Sequence, residues 1–201
     1  MSWIKIIDYK DSKGRLKNLY DRIKGPGNRI DNVLLIHSLR PHTLEAHMML
    51  YKNVLHNKEN ILPVWFLETI GIYVSILNKC SYCIYHHSAG LSRLVKDSTI
   101  ANKIKAALVK NAPEDYFSGK ELLLLKYSKI LTIDPSSLTQ DFIIDLQNAG
   151  ISDGEILEAN QVVSYFCYVN RTVLGLGVNT TGDKLGLSPD NENNPDNWSH
   201  K

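Results

Sequence analysis

The chain has 201 residues, 43% of them hydrophobic, and its 23 Lys and Arg side chains against 21 Asp and Glu leave a formal net charge of +2. This balance gives no support for a nucleic-acid partner, and three cysteines are too few, and odd in number, for a secreted disulfide scaffold. Charged residues interrupt residues 1–15, unlike in a signal peptide. The most apolar stretch, 61–77, contains Pro63 and Glu68 and is too short to span a membrane. We therefore expect a cytoplasmic protein with no membrane partner.

Apolar residues at spacings of three and four recur along the first half of the chain, which predicts helices, whereas the period-2 alternation of strands is scarce. Gly25 ends the first helical pattern, and a short apolar segment, 33–37, follows it. Pro41 and Pro63 stand where a first helical turn tolerates proline. The helices predicted in this half cover residues 16–23, 41–55, 64–77, 80–90 and 98–108.

The second half contains two matches to the capping box, Ser118 with Glu121 and Ser152 with Glu155. The helices predicted there cover residues 122–133, 141–149 and 155–176. The sequence therefore predicts a single all-α domain, a bundle of about eight helices over residues 1–185. A polar C-terminal tail, residues 186–201, follows this domain.

Two of the predicted helices are unusually apolar. The helix 64–77 is hydrophobic on nearly every side, and the segment 162–176 is nearly as apolar. A helix that is hydrophobic all round must be buried all round, either in a large core or between subunits. We therefore expect a homo-oligomer in which a subunit interface covers part of this surface.

A cluster of cysteine and histidine is the most informative feature of the sequence. Cys80, Cys83 and His87 are spaced by three and four residues, so they share one face of a helix, and Glu68 lies on the preceding helix. A helix N-terminus lowers the pKa of a thiol, a histidine one turn away can move its proton, and a carboxylate can orient that histidine. We expect Cys83 to be the more acidic and more accessible thiol, because His87 lies one turn from it.

Other interpretations of the cluster remain open. Zinc binding would need four well-directed ligands, and no second Cys or His pair of suitable spacing follows. Covalent haem attachment is excluded, because Ile84 occupies the histidine position of that motif. A further interpretation is that the two cysteines are small core residues, as we expect for Cys167. The remaining histidines of the N-terminal half are expected to be exposed or hydrogen bonded, and they are His37, His42, His47 and His56.

The cluster resembles the active-site signature of the AhpD-like alkylhydroperoxidases of the carboxymuconolactone decarboxylase superfamily, in particular its peroxidase-related enzymes. The resemblance begins with Glu68 and the segment Cys-Ser-Tyr-Cys-Ile-Tyr-His-His-Ser-Ala-Gly-Leu at 80–91. It continues with Leu-Thr-Ile-Asp-Pro at 131–135, Gly-Ile-Ser-Asp at 150–153 and Val-Ser-Tyr-Phe-Cys-Tyr-Val-Asn-Arg at 163–171. The similar region spans about residues 30–180.

The resemblance implies an all-helical homo-oligomer, a dimer, trimer or hexamer, with its redox site near a subunit interface. It implies that Cys83 attacks the peroxide, that Cys80 resolves the product, and that His87 and Glu68 relay protons. Well-known members carry a histidine where this chain has Tyr82. Tyr82 and His86 are candidate pocket residues.

The leading hypothesis is a thiol-dependent peroxidase of antioxidant defence that needs no metal or organic cofactor. Its partners would be a hydroperoxide substrate and an external dithiol or thioredoxin-like reductant. One alternative is a protein disulfide reductase or adaptor that uses the same cysteine pair. A second is a non-enzymatic helical oligomer in which the Cys and His cluster is structural or binds zinc.

Overall fold

A computed structural model describes residues 2–189, 194 and 197–200. Every regular element in this part of the chain is a helix, which confirms the predicted all-α bundle. None of these helices combines the length and apolar character that a membrane crossing requires. The α-helices are α1 (Gly14–Ile23), α2 (Asn32–Leu35), α3 (Pro41–Leu55), α4 (Val64–Leu77), α5 (Ser81–Val95), α6 (Ser98–Val109), α7 (Gly119–Ile133), α8 (Gln140–Asn148) and α9 (Asp153–Gly175).

One of the two predicted capping boxes forms. At the start of α9 the backbone N–H of Glu155 donates to Ser152 Oγ at 3.3 Å, and the Glu155 carboxylate accepts from the Ser152 N–H at 2.7 Å. The box predicted at Ser118 is wrong, because the Ser118 side chain makes no capping hydrogen bond. The reason is Gly119, whose φ of +54° turns the first residue of α7 away from regular helical geometry.

The apolar helix α4 lies at the centre of the bundle and packs against α3, α5, α6, α7 and α9. Its residues from Phe66 to Ser75 are all buried. Gly71 allows close approach to α9, since a Cβ there would lie 2.2 Å from the ring of Phe166. A single chain therefore encloses α4, so its apolar surface is no evidence for a subunit interface. The homo-oligomer stays a prediction.

The last helix, α9, has one buried and one exposed apolar face. Val162, Phe166 and Val173 are buried against the core. Leu157 and Tyr168 are 59% and 44% exposed, and Ile133 at the end of α7 is 61% exposed. These side chains provide the apolar surface that a second subunit would cover.

Part of the predicted C-terminal tail packs on the bundle. Gly186 lies so close to α5 that a Cβ would be 2.9 Å from Ala89. Trp198 is 2% exposed, and the His200 N–H donates to the Ile23 carbonyl at 3.4 Å. Residues 190–193, 195, 196 and 201 of this tail lie outside the described residues.

Candidate active site

A tight connection between α4 and α5 positions the cysteine and histidine cluster. Lys79 adopts a left-handed φ of 60°, the Cys80 N–H donates to the Ser75 carbonyl at 2.8 Å, and the Lys79 N–H donates to the Ile76 carbonyl at 3.0 Å. This is the Schellman arrangement that ends many helices. Because the connection is short, α4 and α5 are antiparallel neighbours. Glu68 on α4 is thereby brought beside His87 on α5.

A cavity of about 50 Å³ lies next to this cluster, with room for about three or four water molecules. Cys83, Glu68 and His87 all line it. The rest of its wall comes from residues 31, 33 and 34, from α3, α5 and α9, and from the C-terminal residues 186–188 and 200. A small polar molecule that enters the cavity would therefore meet a thiol, a carboxylate and an imidazole.

The two cysteines of the cluster are free thiols whose Sγ atoms lie 3.0 Å apart. This separation is within reach of an S–H···S hydrogen bond and about 1 Å longer than a disulfide bond. Cys80 is 0% exposed and Cys83 is 1% exposed, but Cys83 lines the cavity and Cys80 does not. A molecule in the cavity therefore reaches Cys83 first, as expected from the sequence.

The acidity of the two thiols is the reverse of the prediction. The pKa of Cys80 is lowered, because its thiolate accepts hydrogen bonds from the Cys83 thiol and from the Cys83 backbone N–H at the start of α5. The same hydrogen bond, together with burial, raises the pKa of Cys83 well above its ordinary value. The buried Asn170 amide is hydrogen bonded to Ser75 Oγ at 3.1 Å and lowers the pKa of both thiols. Asn170 thus faces the cysteine pair rather than an ordinary polar surface.

Glu68 and His87 form a buried pair. His87 Nδ1 lies 2.7 Å from Glu68 Oε2, and Glu68 is 2% exposed. Burial alone would raise the pKa of Glu68, but the charge of His87 and this hydrogen bond lower it below its ordinary value. The carboxylate fixes Nδ1–H as the donor, so Nε2 is left as the basic atom of the imidazole. The predicted relay residues are therefore in contact.

A second polar cluster surrounds Asp183, which was not predicted from the sequence. The Tyr82 hydroxyl donates to Asp183 Oδ2 at 2.7 Å, and His86 Nε2 lies 3.2 Å from the same oxygen. The Asn32 backbone N–H donates to Asp183 as well, at 3.1 Å. The rings of Tyr82 and His86 stack with centroids 4.5 Å apart. Tyr82 and His86 line the cavity, as expected for pocket residues.

His42 is exposed, and the rings of His37 and His47 are each hydrogen bonded through one nitrogen, as expected. Three of the four histidines are buried, however, and each of the three has one ring nitrogen without a hydrogen-bond partner. These atoms are His37 Nε2, His47 Nδ1 and His56 Nε2. Burial lowers the pKa of His47 to about 3 and that of His56 to about 4, so both rings are neutral. His47 and the tail residue His200 line the cavity. The helical periodicity of α3 did not show that this face is covered by α9 and the tail.

Metal binding has no visible ligand set in the described ranges. Among residues 2–189, 194 and 197–200, no group of three or more His, Cys, Asp or Glu side chains is arranged to hold a metal ion. The zinc interpretation of the cluster is therefore not supported by this part of the chain.

No protein-family model and no curated protein match the chain, but solved structures do. An uncharacterized peroxidase-related protein from Ralstonia eutropha JMP134, an alkylhydroperoxidase AhpD core, has a TM-score of 0.73 at 17% identity, covering 89% of this chain and 92% of its own. An uncharacterized peroxidase-related protein from Silicibacter sp. TM1040 has a TM-score of 0.68 at 22% identity, and the match covers 78% of this chain and 82% of that one.

A third structure is the debrominase Bmp8, as a Cys-to-Ala variant in complex with 2,3,4-tribromopyrrole. Its TM-score is 0.67 at 16% identity, and the match covers 90% of this chain and 94% of that one. Identities this low establish the fold alone. The structural matches confirm the AhpD-like helical fold predicted from the sequence.

Proposed function

We propose that this protein is a thiol-dependent peroxidase that reduces small hydroperoxides through Cys80 and Cys83. The observation that carries the proposal is the pair of thiols 3.0 Å apart, one of which lines a cavity together with a buried His–Glu pair. A peroxidase that cycles through a disulfide needs a second thiol within reach of the first, a route for protons and a site that the peroxide can enter.

The first step is attack by Cys83, because its sulfur lines the cavity. Its proton moves to the Cys80 thiolate, which lies 3.0 Å away. The resulting Cys83 thiolate attacks the terminal oxygen of ROOH and becomes a sulfenic acid as the O–O bond breaks, and the departing RO⁻ takes a proton from an acid on the cavity wall and leaves as ROH. A thiolate of higher pKa is the stronger nucleophile, but the raised pKa of Cys83 also makes the loss of its proton to Cys80 the costly part of this step.

The second step is condensation of the two sulfurs. Cys80 loses its proton to His87 Nε2 and attacks the Cys83 sulfur, and the S–O bond breaks. The departing hydroxide takes the proton from His87 and leaves as water, so that a disulfide remains. An external dithiol then reduces this disulfide and is itself oxidised. Ionised Glu68 stabilises the His87 imidazolium that forms between these transfers.

The alternative of a protein disulfide reductase fits the geometry less well. Such a protein must present a sulfur to a bulky partner, yet Cys80 is 0% exposed and Cys83 is 1% exposed. A cavity of about 50 Å³ admits hydrogen peroxide more readily than a polypeptide disulfide. We propose that the reductant is a small dithiol of the cytoplasm, since a thioredoxin-like protein would meet the same restricted access and could act only after a local opening of the site.

The test is consumption of hydrogen peroxide by the purified reduced protein, followed by mass spectrometry of trapped sulfur species. The wild type should lose two thiols per peroxide and turn over with added dithiothreitol. Cys83→Ser should abolish the reaction, whereas Cys80→Ser should form a dimedone adduct on Cys83 without a disulfide. Cys167→Ser is the matched control and should react like the wild type.

Two results would overturn the proposal. One is a wild type that consumes no peroxide, and the other is a Cys83→Ser variant that still consumes it. Since one structure of the same fold is a debrominase with bound 2,3,4-tribromopyrrole, that compound is the competing substrate in the same assay. Release of bromide without any peroxide reaction would favour dehalogenation instead.

A further inference from the structure

Cleavage of a hydroperoxide leaves an alkoxide or hydroxide that must be protonated, and in the proposed sequence the Cys83 proton passes to Cys80 and then to His87, so another group is needed to supply it. Asp31 is a carboxyl group on the wall of the same cavity. It is 8% exposed and stands at the N-cap position of α2. Neither the motif at 80–91 nor the spacing of its own neighbours marks it in the sequence.

The carboxyl of Asp31 is left available because other groups occupy its usual partners. An N-cap aspartate ordinarily accepts hydrogen bonds from the first amides of its helix. Here the Asn32 N–H donates to Asp183, and the Val33 N–H donates to the Tyr82 hydroxyl at 3.2 Å. Asp31 makes no capping hydrogen bond, and no group among the described residues donates to its carboxyl. Its oxygens are therefore free for a molecule in the cavity.

The surroundings of Asp31 favour its protonated form. Its pKa is raised to about 6, because the rise caused by burial is larger than the lowering by His86, and the nearby Asp183 carboxylate adds a smaller rise. Glu68, on the same cavity, has a lowered pKa because of His87. Two carboxyl groups whose environments displace their pKa values in opposite directions are the usual arrangement for one acid and one ionised partner.

We propose that Asp31 is the general acid of the hydroperoxide-cleaving step, which rests on the peroxidase function proposed above. As the Cys83 thiolate bonds to the terminal oxygen, the O–O bond breaks and the Asp31 carboxyl O–H gives its proton to the leaving oxygen. The products are the Cys83 sulfenic acid, ROH and the Asp31 carboxylate. The proton released when an external dithiol reduces the disulfide restores the acid.

Four other polar groups on the cavity wall are poorer donors. Burial raises the pKa values of Tyr51 and Tyr165 well above that of an ordinary phenol, so both release protons less readily. His47 and His200 have lowered pKa values, about 3 and about 4, and carry no proton to give at neutral pH. A general acid works best when its pKa lies near the working pH, a condition that Asp31 meets.

The test compares two leaving groups in single-turnover oxidation of Cys83. Hydrogen peroxide releases hydroxide, which needs a proton, whereas peracetic acid releases acetate, whose conjugate acid has a pKa close to that of Glu, about 4.3. Asp31→Asn should slow the reaction with hydrogen peroxide by about 10²-fold and the reaction with peracetic acid by no more than about threefold. Asp31→Glu should restore part of the hydrogen peroxide rate.

The controls separate the two proposals. Asp145→Asn, at an exposed position of α8, should leave both rates unchanged. An equal loss with both oxidants, or no loss with either, would overturn the role of Asp31 while wild-type turnover still supported the peroxidase. If the wild type reacted with neither oxidant, the proposed function itself would fail.

Discussion

Replacing Asp31 by asparagine should stabilise the folded protein at neutral pH, although the same change should impair catalysis. The pKa of Asp31 is raised from its ordinary value of 3.8 to about 6, because burial disfavours the charged form. Between these two values the folded state holds the proton more tightly than the unfolded state does. Stability therefore falls as the pH rises through this window, and the ionised carboxylate disfavours folding above it.

The magnitude follows from the displacement of the pKa. Each unit corresponds to about 1.4 kcal/mol, so ionised Asp31 costs the folded state about 3 kcal/mol at pH 7 and about 0.5 kcal/mol at pH 4. Asp31→Asn removes this cost and should raise the melting temperature at pH 7 by about 6–12 °C in a chain of this size. The gain should shrink to about 1–2 °C at pH 4.

Urea unfolding of the wild type and of Asp31→Asn between pH 4 and pH 7 measures this dependence. Asp145→Asn, on the exposed face of α8, provides the control for a change of charge without burial. A gain in stability that is the same at every pH would refute the linkage to ionisation. A variant that is less stable than the wild type at pH 7 would refute the desolvation of Asp31.

Three further predictions concern the relay, the tail and the assembly. Glu68→Gln and His87→Gln should each slow peroxide turnover by about 10²-fold or more, with the double variant little worse than the slower single one; unchanged rates in both single variants would remove the relay. Trp198→Ala should raise kcat/KM for cumene hydroperoxide severalfold relative to hydrogen peroxide, because buried Trp198 holds the tail against the cavity; an unchanged ratio would show that the tail does not limit access. We propose a homo-oligomer through the exposed apolar face of α7 and α9, so sedimentation velocity at micromolar concentration should show a dimer or larger, and a single species near 22.7 kDa would contradict it.

Local sequence signals predicted the helices well where the hydrogen bonds are local. The capping box at Ser152 and the proline at position 63 both stand at helix starts, because their effects depend on residues within one turn. Ser118 failed as a cap because the left-handed backbone of Gly119 intervenes, which residue types alone do not reveal. Which helices would enclose α4 depends on packing between distant segments, and so its burial by one chain was not predicted.

The same difference between local and long-range contacts separates the site residues that were predicted from those that were not. Glu68, Cys80, Cys83 and His87 were predicted because they lie on two successive helices with a short connection. The cluster around Asp183 was not predicted, because its partners are far apart in the chain and meet only when the segment after α9 returns to the start of α2. The order of acidity in the cysteine pair was also missed, since it depends on the hydrogen bond between the two sulfurs rather than on the neighbouring histidine.

The distribution of protons in the cavity shows where the proposed first step is easy and where it is costly. Cys83 and Asp31 have raised pKa values, whereas those of Cys80 and Glu68 are lowered. Attack on a hydroperoxide takes one proton from a thiol and delivers one to the leaving oxygen; Asp31 meets the second need, whereas the transfer from Cys83 to Cys80 runs against the order of their pKa values. Burial alone would raise the pKa of every acid in the cavity. The lowered pKa values therefore depend on particular partners: the Cys83 thiol and N–H lower that of Cys80, and His87 lowers that of Glu68. Removing these partners should abolish the difference between raised and lowered pKa values, whereas changes to the apolar walls of the cavity should not.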